Sequence, residues 1–223
     1  MRWICINEKD VQINRIMDNQ LFHNLVAEQT GIVLNDRQVS QFELYEKTLL
    51  QWNKKVNLTR ITSPQDIVIK HFLDSLSVIP FIEKMMFDSI LDVGSGAGFP
   101  GIPLGIVLPQ KSLTLLDASR KRVHFLKYTT HLLGANNFQI IQGRLELFKP
   151  ENLFDIVICR AFAELSKFVM PSSALVKPSG RIIAMKGKSI HNELETFQRK
   201  DLITCIESYI LPNIDQKRYL VFF

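Results

Sequence analysis

The chain has 223 residues, 46% hydrophobic and 22% charged, the balance of a soluble globular protein with room for one sizeable core and a small addition. No apolar run is long enough to span a membrane, and the first ten residues mix Arg2 and Lys9 with Glu8 and Asp10 around no long apolar centre, so no secretory signal is expected. Cys5, Cys159 and Cys205 are scattered without paired spacing, which excludes a cysteine zinc site or a CxxC redox couple and makes a reduced, cytoplasmic setting the expectation.

Residues 1–16 show no clear periodicity and read as a disordered or loosely attached extension, with Met17 as an alternative start. Leu21, Phe22, Leu25 and Val26 then recur at helical spacing, and Gly31 stands where a helix C-cap glycine belongs. Asn35 or Asp36 can cap a second helix carrying Val39, Phe42, Leu44, Tyr45, Leu49, Leu50 and Trp52. Ser63-Pro64 opens a third, with proline at its first position and Ile67, Val68, Phe72, Leu73 and Leu76 on one side. Residues 17–89 are therefore expected to form a helical subdomain with no sheet of its own.

From Ile90 the pattern changes to strand–helix alternation, the mark of a doubly wound sheet. Strands are expected at Ile90–Val93, Leu113–Leu116, Phe138–Ile141, Ile156–Cys159, Arg181–Met185, Cys205–Leu211 and Tyr219–Phe222, the last two as a hairpin at one edge. Helices are expected at Pro103–Val107, Lys121–Leu133, Glu164–Val176 and His191–Thr196. The fold class is α/β: a Rossmann-like sheet over residues 90–223 with a C-terminal β-hairpin edge, preceded by the helical subdomain.

The stretch that carries most information is Ile90–Gly101. Ile90, Leu91 and Val93 suit a buried parallel strand, and Gly94, Gly96 and Gly98 follow as a turn against which a ligand can approach the main chain. The apolar segment from Gly101 would begin a helix whose N-terminus attracts an anionic group. Gly96, Gly98 and Gly101 satisfy the dinucleotide fingerprint G-x-G-x-x-G, which alone is weak. The fuller string from Asp92 to Gly98, acidic-x-Gly-x-Gly-x-Gly, resembles motif I of class I S-adenosylmethionine-dependent methyltransferases. Asp117, at the end of the next strand, would accept ribose hydroxyls from either cofactor and cannot decide between them. Asp92 favours the methyltransferase, because an acid there suits the methionyl ammonium and repels a pyrophosphate.

Charge is uneven. Residues 1–89 hold 10 Lys and Arg against 11 Asp and Glu, whereas residues 90–223 hold 17 against 11, so the basic excess falls in the half with the glycine turn. A polyanionic partner is expected there.

With these pieces placed, the chain resembles the bacterial small-subunit ribosomal RNA methyltransferase G family, also called glucose-inhibited division protein B. The matching blocks are Trp52-Asn53-Lys54, Asn57-Leu58-Thr59, His71–Ser75, Leu91–Pro103, Leu115–Asp117, Lys121–Val123 and Phe125-Leu126. Arg144–Glu146, Phe154-Asp155, Arg160–Ala163 and Lys186-Gly187 complete the set in family order. The resemblance implies the cofactor S-adenosyl-L-methionine and methylation of N7 of a guanine in the decoding-region loop of 16S ribosomal RNA. The implied partner is 16S ribosomal RNA or the small ribosomal subunit, with no membrane, no metal and a monomeric enzyme. It also implies cofactor contacts at Asp92, Gly94, Gly96, Gly98, Phe99, Asp117, Leu145, Glu146 and Arg160, the Leu145–Glu146 contact being through the backbone.

Guanine N7 carries a free lone pair in the ring plane, so methyl transfer requires donor and acceptor in line and no deprotonation. The Asn/Asp-Pro-Pro-aromatic signature of amine methylation is missing, its place being taken by Arg160-Ala161-Phe162-Ala163, and Cys159 is expected as a small core residue rather than a nucleophile. Arg160 is expected to position cofactor or guanine, and Lys186 to touch RNA or substrate from the end of the fifth strand. His71 and Asp74 are expected in a cap or an inter-domain hydrogen bond. Lys54, Lys55, Arg60, Arg120, Lys121, Arg122, Lys127, Lys186 and Lys188 are candidates for an RNA path. Two rival readings stand beside this one: an NAD oxidoreductase using Gly96–Gly101, and a non-catalytic RNA-binding module on the same fold.

Overall fold

A computed structural model describes residues 19–162, 164–214 and 217–223. The expected N-terminal extension and the alternative start at Met17 lie outside these residues. Helix α1 (Asn19–Thr30) ends on Gly31, whose φ of 74° turns the chain as the C-cap reading required. Helix α2 (Asp36–Val56) starts on a capping box in which Asn35 Oδ1 accepts from Gln38 N at 2.9 Å and Gln38 Oε1 accepts from Asn35 N at 3.0 Å. Pro64 begins α3 (Pro64–Ile67), which passes directly into a π-helical turn (Val68–Leu73) and then α4 (Asp74–Leu76). A one-turn helix, α5 (Ile79–Ile82), completes this region.

Seven strands form one sheet in the order β3-β2-β1-β4-β5-β7-β6. They are β1 (Ser89–Val93), β2 (Ser112–Asp117), β3 (Phe138–Gln142), β4 (Phe154–Arg160), β5 (Val176–Lys186), β6 (Cys205–Ile210) and β7 (Lys217–Phe222). Strands β1 to β5 are parallel, and the antiparallel β6–β7 hairpin closes one edge. The chain winds outward from β1 through β2 to β3, then restarts on the other side of β1 with β4. The switch point therefore lies between the carboxyl ends of β1 and β4, where ligands bind in open α/β sheets.

Alternation along the strands feeds two cores. Ile90, Leu113, Leu115, Ile156, Ile158 and Ile183 face the N-terminal helices together with α6 (Gly101–Val107) and α7 (Arg120–Leu132). Leu91, Val93, Val157, Cys159, Ile182 and Ala184 face α8 (Leu165–Ser172) and α9 (Ile190–Thr196). Phe22, Phe42, Tyr45 and Phe72 are almost fully buried and belong to the same apolar cluster as Ile90 and Leu113.

One helix differs from expectation. The segment expected helical over Glu164–Val176 is helical only over Leu165–Ser172: Pro171 lies in its last turn, and Val176 already pairs with Phe154 in the sheet. The π turn at Val68–Leu73 has no local sequence signature, since Val-Ile-Lys-His-Phe-Leu carries the same apolar spacing as an α-helix.

Candidate active site

The turn after β1 is hung on β2, with Gly94 N and Ser95 N both donating to Leu116 O at 2.8 and 3.2 Å. Gly94 and Gly96 have φ of 69° and 61°, in the region that glycine enters without a Cβ penalty. Their surroundings differ. A Cβ on Gly94 would stand 2.6 Å from the Phe162 ring, whereas one on Gly96 would meet nothing nearer than Gly94 O at 3.7 Å. Side chains also crowd Gly98 (Ile102 and Tyr45) and Gly101 (Leu115 and Asp92). Gly96 is thus the one glycine of these four that opens onto free space, and the other three accommodate neighbouring side chains.

Asp92 is fully buried. Its Oδ2 accepts from Gly101 N, the first residue of α6, at 3.0 Å, so this helix start is taken by the protein's own carboxyl group. That corrects the expectation of an anion site for a ligand, and it removes the seat a dinucleotide pyrophosphate would need. Asp92 Oδ1 has no hydrogen-bond partner, and burial raises the carboxyl to about 7. Asp117 is nearly buried; its Oδ2 accepts from Gly96 N at 2.8 Å and its Oδ1 from Ser119 N at 2.8 Å, with Arg122 Nη1 at 3.6 Å. Beyond β3, Leu145 is buried and Glu146 exposed in a single 3-10 turn, Leu145–Leu147. These residues fit S-adenosylmethionine: a buried carboxylate oxygen lacks a cationic partner, a second carboxylate with spare lone pairs ends β2, and one glycine faces open space.

Arg160, the last residue of β4, turns toward the N-terminal helices. Its Nη1 donates to Lys70 O at 3.1 Å, His71 O at 3.4 Å and Asp74 Oδ2 at 3.0 Å, while Nη2 lies 3.0 Å from His71 Nδ1. The two carbonyls belong to the π turn, so that irregularity presents backbone acceptors to the guanidinium. A guanidinium can only donate, so His71 Nδ1 accepts and the ring proton sits on Nε2, which donates to Thr59 Oγ1 at 2.8 Å. Burial, then the neighbouring Arg160 charge, lowers His71 to about 3. Asn53 fastens the other side of Thr59, exchanging hydrogen bonds with its N and O at 2.9 Å each. The expected inter-element hydrogen bond of His71 and Asp74 is therefore present. The acid that Arg160 pairs with is thus the buried Asp74, while Asp155 is held by Lys177 at 2.8 Å.

Phe99 is buried at the centre of this cluster: the His71 ring stacks on it at 4.4 Å, the Arg160 guanidinium stands 4.7 Å from its centroid, and Tyr45 is 5.4 Å away. Cys159 is buried, and its thiol is pushed up by burial, as a core residue would be. Lys186 is buried too, ion-paired with Glu193 at 2.7 Å and reaching Phe162 O at 3.4 Å. Reading the sequence missed four partners of this site: Tyr45, whose hydroxyl donates to Ala97 O at 2.6 Å, Phe162, Glu193, and Tyr209, which donates to Asp74 Oδ1 at 2.9 Å. The proline–aromatic comparison that singled out Arg160-Ala161-Phe162 was the one signal available for Phe162. Among the described residues no group of three or more His, Cys, Asp and Glu could hold a metal, and no helix is long and apolar enough to cross a membrane.

The GidB family model, described as rRNA small subunit methyltransferase G, matches residues 38–221. The "Ribosomal RNA small subunit methyltransferase G" of Thermoanaerobacter sp. (strain X514) is 42% identical over 204 residues, 87% of this chain and 85% of its own. That of Yersinia pseudotuberculosis serotype O:3 (strain YPIII) is 41% identical over 192 residues, 86% of this chain and 92% of its own. Among solved structures, TrmN from Thermus thermophilus superposes with a TM-score of 0.54 at 13% identity, covering 67% of this chain and 48% of that one. Precorrin-6y C5,15-methyltransferase from Geobacter metallireducens GS-15 gives 0.51 at 12% identity, covering 63% and 82%. At those identities the superpositions speak for the fold alone, whereas the family match spans most of the sequence: the chain belongs to the rRNA small subunit methyltransferase G family of S-adenosylmethionine-dependent methyltransferases.

Proposed function

We propose that this chain moves the methyl group of S-adenosylmethionine to N7 of a guanine in the decoding-region loop of 16S ribosomal RNA, acting in the cytoplasm as a monomer on the RNA or the small subunit. Asp92, Asp117, the Gly94–Gly98 turn and the Leu145–Glu146 backbone would hold the cofactor, whose sulfonium supplies the methyl when bound. Arg160 and Phe99 form the wall between that pocket and the N-terminal helices. Lys186 acts by position, its ammonium fixing the Phe162 carbonyl and hence the loop after β4.

The observation that carries this reading is the engagement of the acceptors around Arg160 at the end of β4. His71 Nδ1 already accepts from Arg160, Asp74 accepts from Arg160 and Tyr209, and Cys159 is buried. The imidazole and the Asp74 carboxylate are therefore not free to act as a base, which suits an acceptor whose lone pair needs no deprotonation and leaves alignment as the protein's contribution. The test is methylation of small-subunit RNA from cells lacking this protein, followed by strand scission specific for N7-methylguanine. Scission at one guanine of the decoding loop is expected. Methyl incorporation without scission would mean a different acceptor atom, and no incorporation would support the non-catalytic rival.

A further inference from the structure

Four long stretches of the chain contain no acid. Residues 93–116 hold the single cation Lys111, which is ion-paired, and residues 165–192 hold five, of which Lys167, Lys177 and Lys186 are ion-paired. Among the described residues that leaves 47–65 and 118–145 as the two with largely unpaired positive charge. Together these two hold nine Lys and Arg of the chain's 27 and none of its 22 Asp and Glu, so the remainder carries 18 against 22, a net of −4. These two runs therefore concentrate positive charge that no acid of their own balances. They are far apart in sequence but adjacent in space. The Trp52 ring of α2 packs on Phe125 and Tyr128 of α7, with centroids 5.6 and 5.5 Å apart. At the other end, Arg37 and Gln41 of α2 donate to Gly134 O at 3.2 Å and Leu133 O at 2.8 Å, beyond the end of α7. The two helices thus run antiparallel, which sets the end of α2 beside the beginning of α7.

Lys54, Lys55, Arg60, Arg120, Lys121 and Lys127 are all exposed on these runs. Surface lysines that only solubilise a helix usually have acids among them. Here α7 has none, and among the described residues only Arg122 of the nine cations has an acid within 4.0 Å. That acid is Asp117, so the basic face begins at the cofactor edge of the sheet. Trp52 and Tyr128 are half-buried between the cations and leave part of their surface open.

We propose that the seam between α2 and α7 is the docking face for the RNA that flanks the target nucleotide. Its lysines and arginines neutralise backbone phosphates, and the Trp52–Tyr128 pair offers an aromatic surface to an unpaired base. The proposal rests on the RNA-methylation reading above and moves part of the docking face into the N-terminal helices. The charge balance on either side of residue 89 favoured residues 90–223, with Lys54, Lys55 and Arg60 as candidates outside them.

The test uses the full-length protein and small-subunit ribosomal RNA from cells lacking it, with affinity measured against salt. Three double variants are compared: Lys54→Gln/Lys55→Gln, Lys121→Gln/Lys127→Gln, and the control Lys167→Gln/Lys200→Gln, whose exposed lysines lie outside both runs. Each seam pair is expected to flatten the log–log salt slope by about 1.4–1.8, two phosphate contacts' worth, with cofactor affinity by calorimetry unchanged. The control should keep the wild-type slope. Wild-type slopes in both seam variants, or equal flattening in the control, would overturn the docking face even while methyl transfer proceeds. A wild-type protein that binds this RNA through the seam yet transfers no methyl would overturn the function instead and leave the docking face standing.

Discussion

Arg160 Nη2 and His71 Nδ1 lie 3.0 Å apart, 89 residues from each other in sequence, with the arginine as the only possible donor. This contact ties β4 to the N-terminal helices and consumes the imidazole lone pair that a base would need. Arg160→Lys keeps the charge but cannot serve Lys70 O, Asp74 and His71 from one planar fork. Its single-turnover methyl transfer is expected to fall about 100-fold, roughly 2.7 kcal/mol of transition-state stabilisation. His71→Ala is expected to lose folding stability before it loses the chemical step. Across pH 6 to 9 the wild-type single-turnover rate should show no ionisation of a required base. A rate that tracks one ionisation near histidine's usual pKa, with a folded but inactive His71→Ala, would instead make His71 the base.

Asp117 has two duties: it ends β2 where the ribose hydroxyls are expected, and it accepts from Gly96 N. Asp117→Ala should weaken S-adenosylmethionine binding by about 1.5–3 kcal/mol, the usual loss for hydrogen bonds to a charged group. Calorimetry decides this, and unchanged affinity in a folded variant would remove Asp117 from the cofactor site.

Gly94 and Gly96 should fail differently when given a methyl group. Both pay about 1–2 kcal/mol for a Cβ at positive φ, but only at Gly94 does the new atom meet the Phe162 ring, at 2.6 Å. Gly94→Ala is therefore expected to lower the melting temperature more than Gly96→Ala, and Phe162→Ala should relieve part of that excess in a double-mutant cycle. Gly96→Ala should keep the fold and lose at least tenfold in cofactor affinity, because its Cβ enters the open side of the turn. Additive effects of Gly94→Ala and Phe162→Ala would show that the ring does not press on the turn.

The sheet was legible because alternating Ile, Leu and Val between glycine and polar breaks report strands locally, and Ile90–Gly101 concentrates a strand, a turn and a helix start in twelve residues. Asn35, Gly31 and Pro64 marked helix ends for the same reason: capping is local chemistry. Lys186 illustrates the opposite case. Its place at a strand end was readable, but its burial against Glu193 depends on how α9 packs back over β5, and no spacing rule encodes that. Tyr45 read as one more apolar position of α2, although its hydroxyl caps Ala97 O in the glycine turn. A charge count divided by sequence position does not report that α2 and α7 lie side by side, because that adjacency is set by the Trp52–Phe125 and Trp52–Tyr128 contacts.

Stability of the cofactor-free protein should depend on pH through three buried groups, Asp92 and Glu46 of one sign and His71 of the other. Asp92 is raised from 3.8 to about 7, so its contribution is fully present below about 3.8 and is lost as pH rises toward 7. His71 is lowered from 6.5 to about 3, so its contribution is fully present above 6.5 and is lost as pH falls toward 3. Between pH 5 and 6.5 Asp92 and His71 nearly cancel, at up to about 1.4 kcal/mol per pH unit each. Glu46, buried and raised to about 7, adds to the slope with the sign of Asp92 and has no counterpart to cancel it, so wild-type stability should decline over this range by up to about 1.4 kcal/mol per pH unit. Asp92→Asn should flatten that decline, and His71→Ala should steepen it. Urea midpoints at several pH values give both slopes directly. The slope difference is the useful quantity, because the asparagine amide still leaves a buried atom unpaired and so shifts absolute stability for a separate reason. An Asp92→Asn slope equal to wild type would mean that Asp92 is ionised in the folded protein and that its unpartnered oxygen already faces a cation or water.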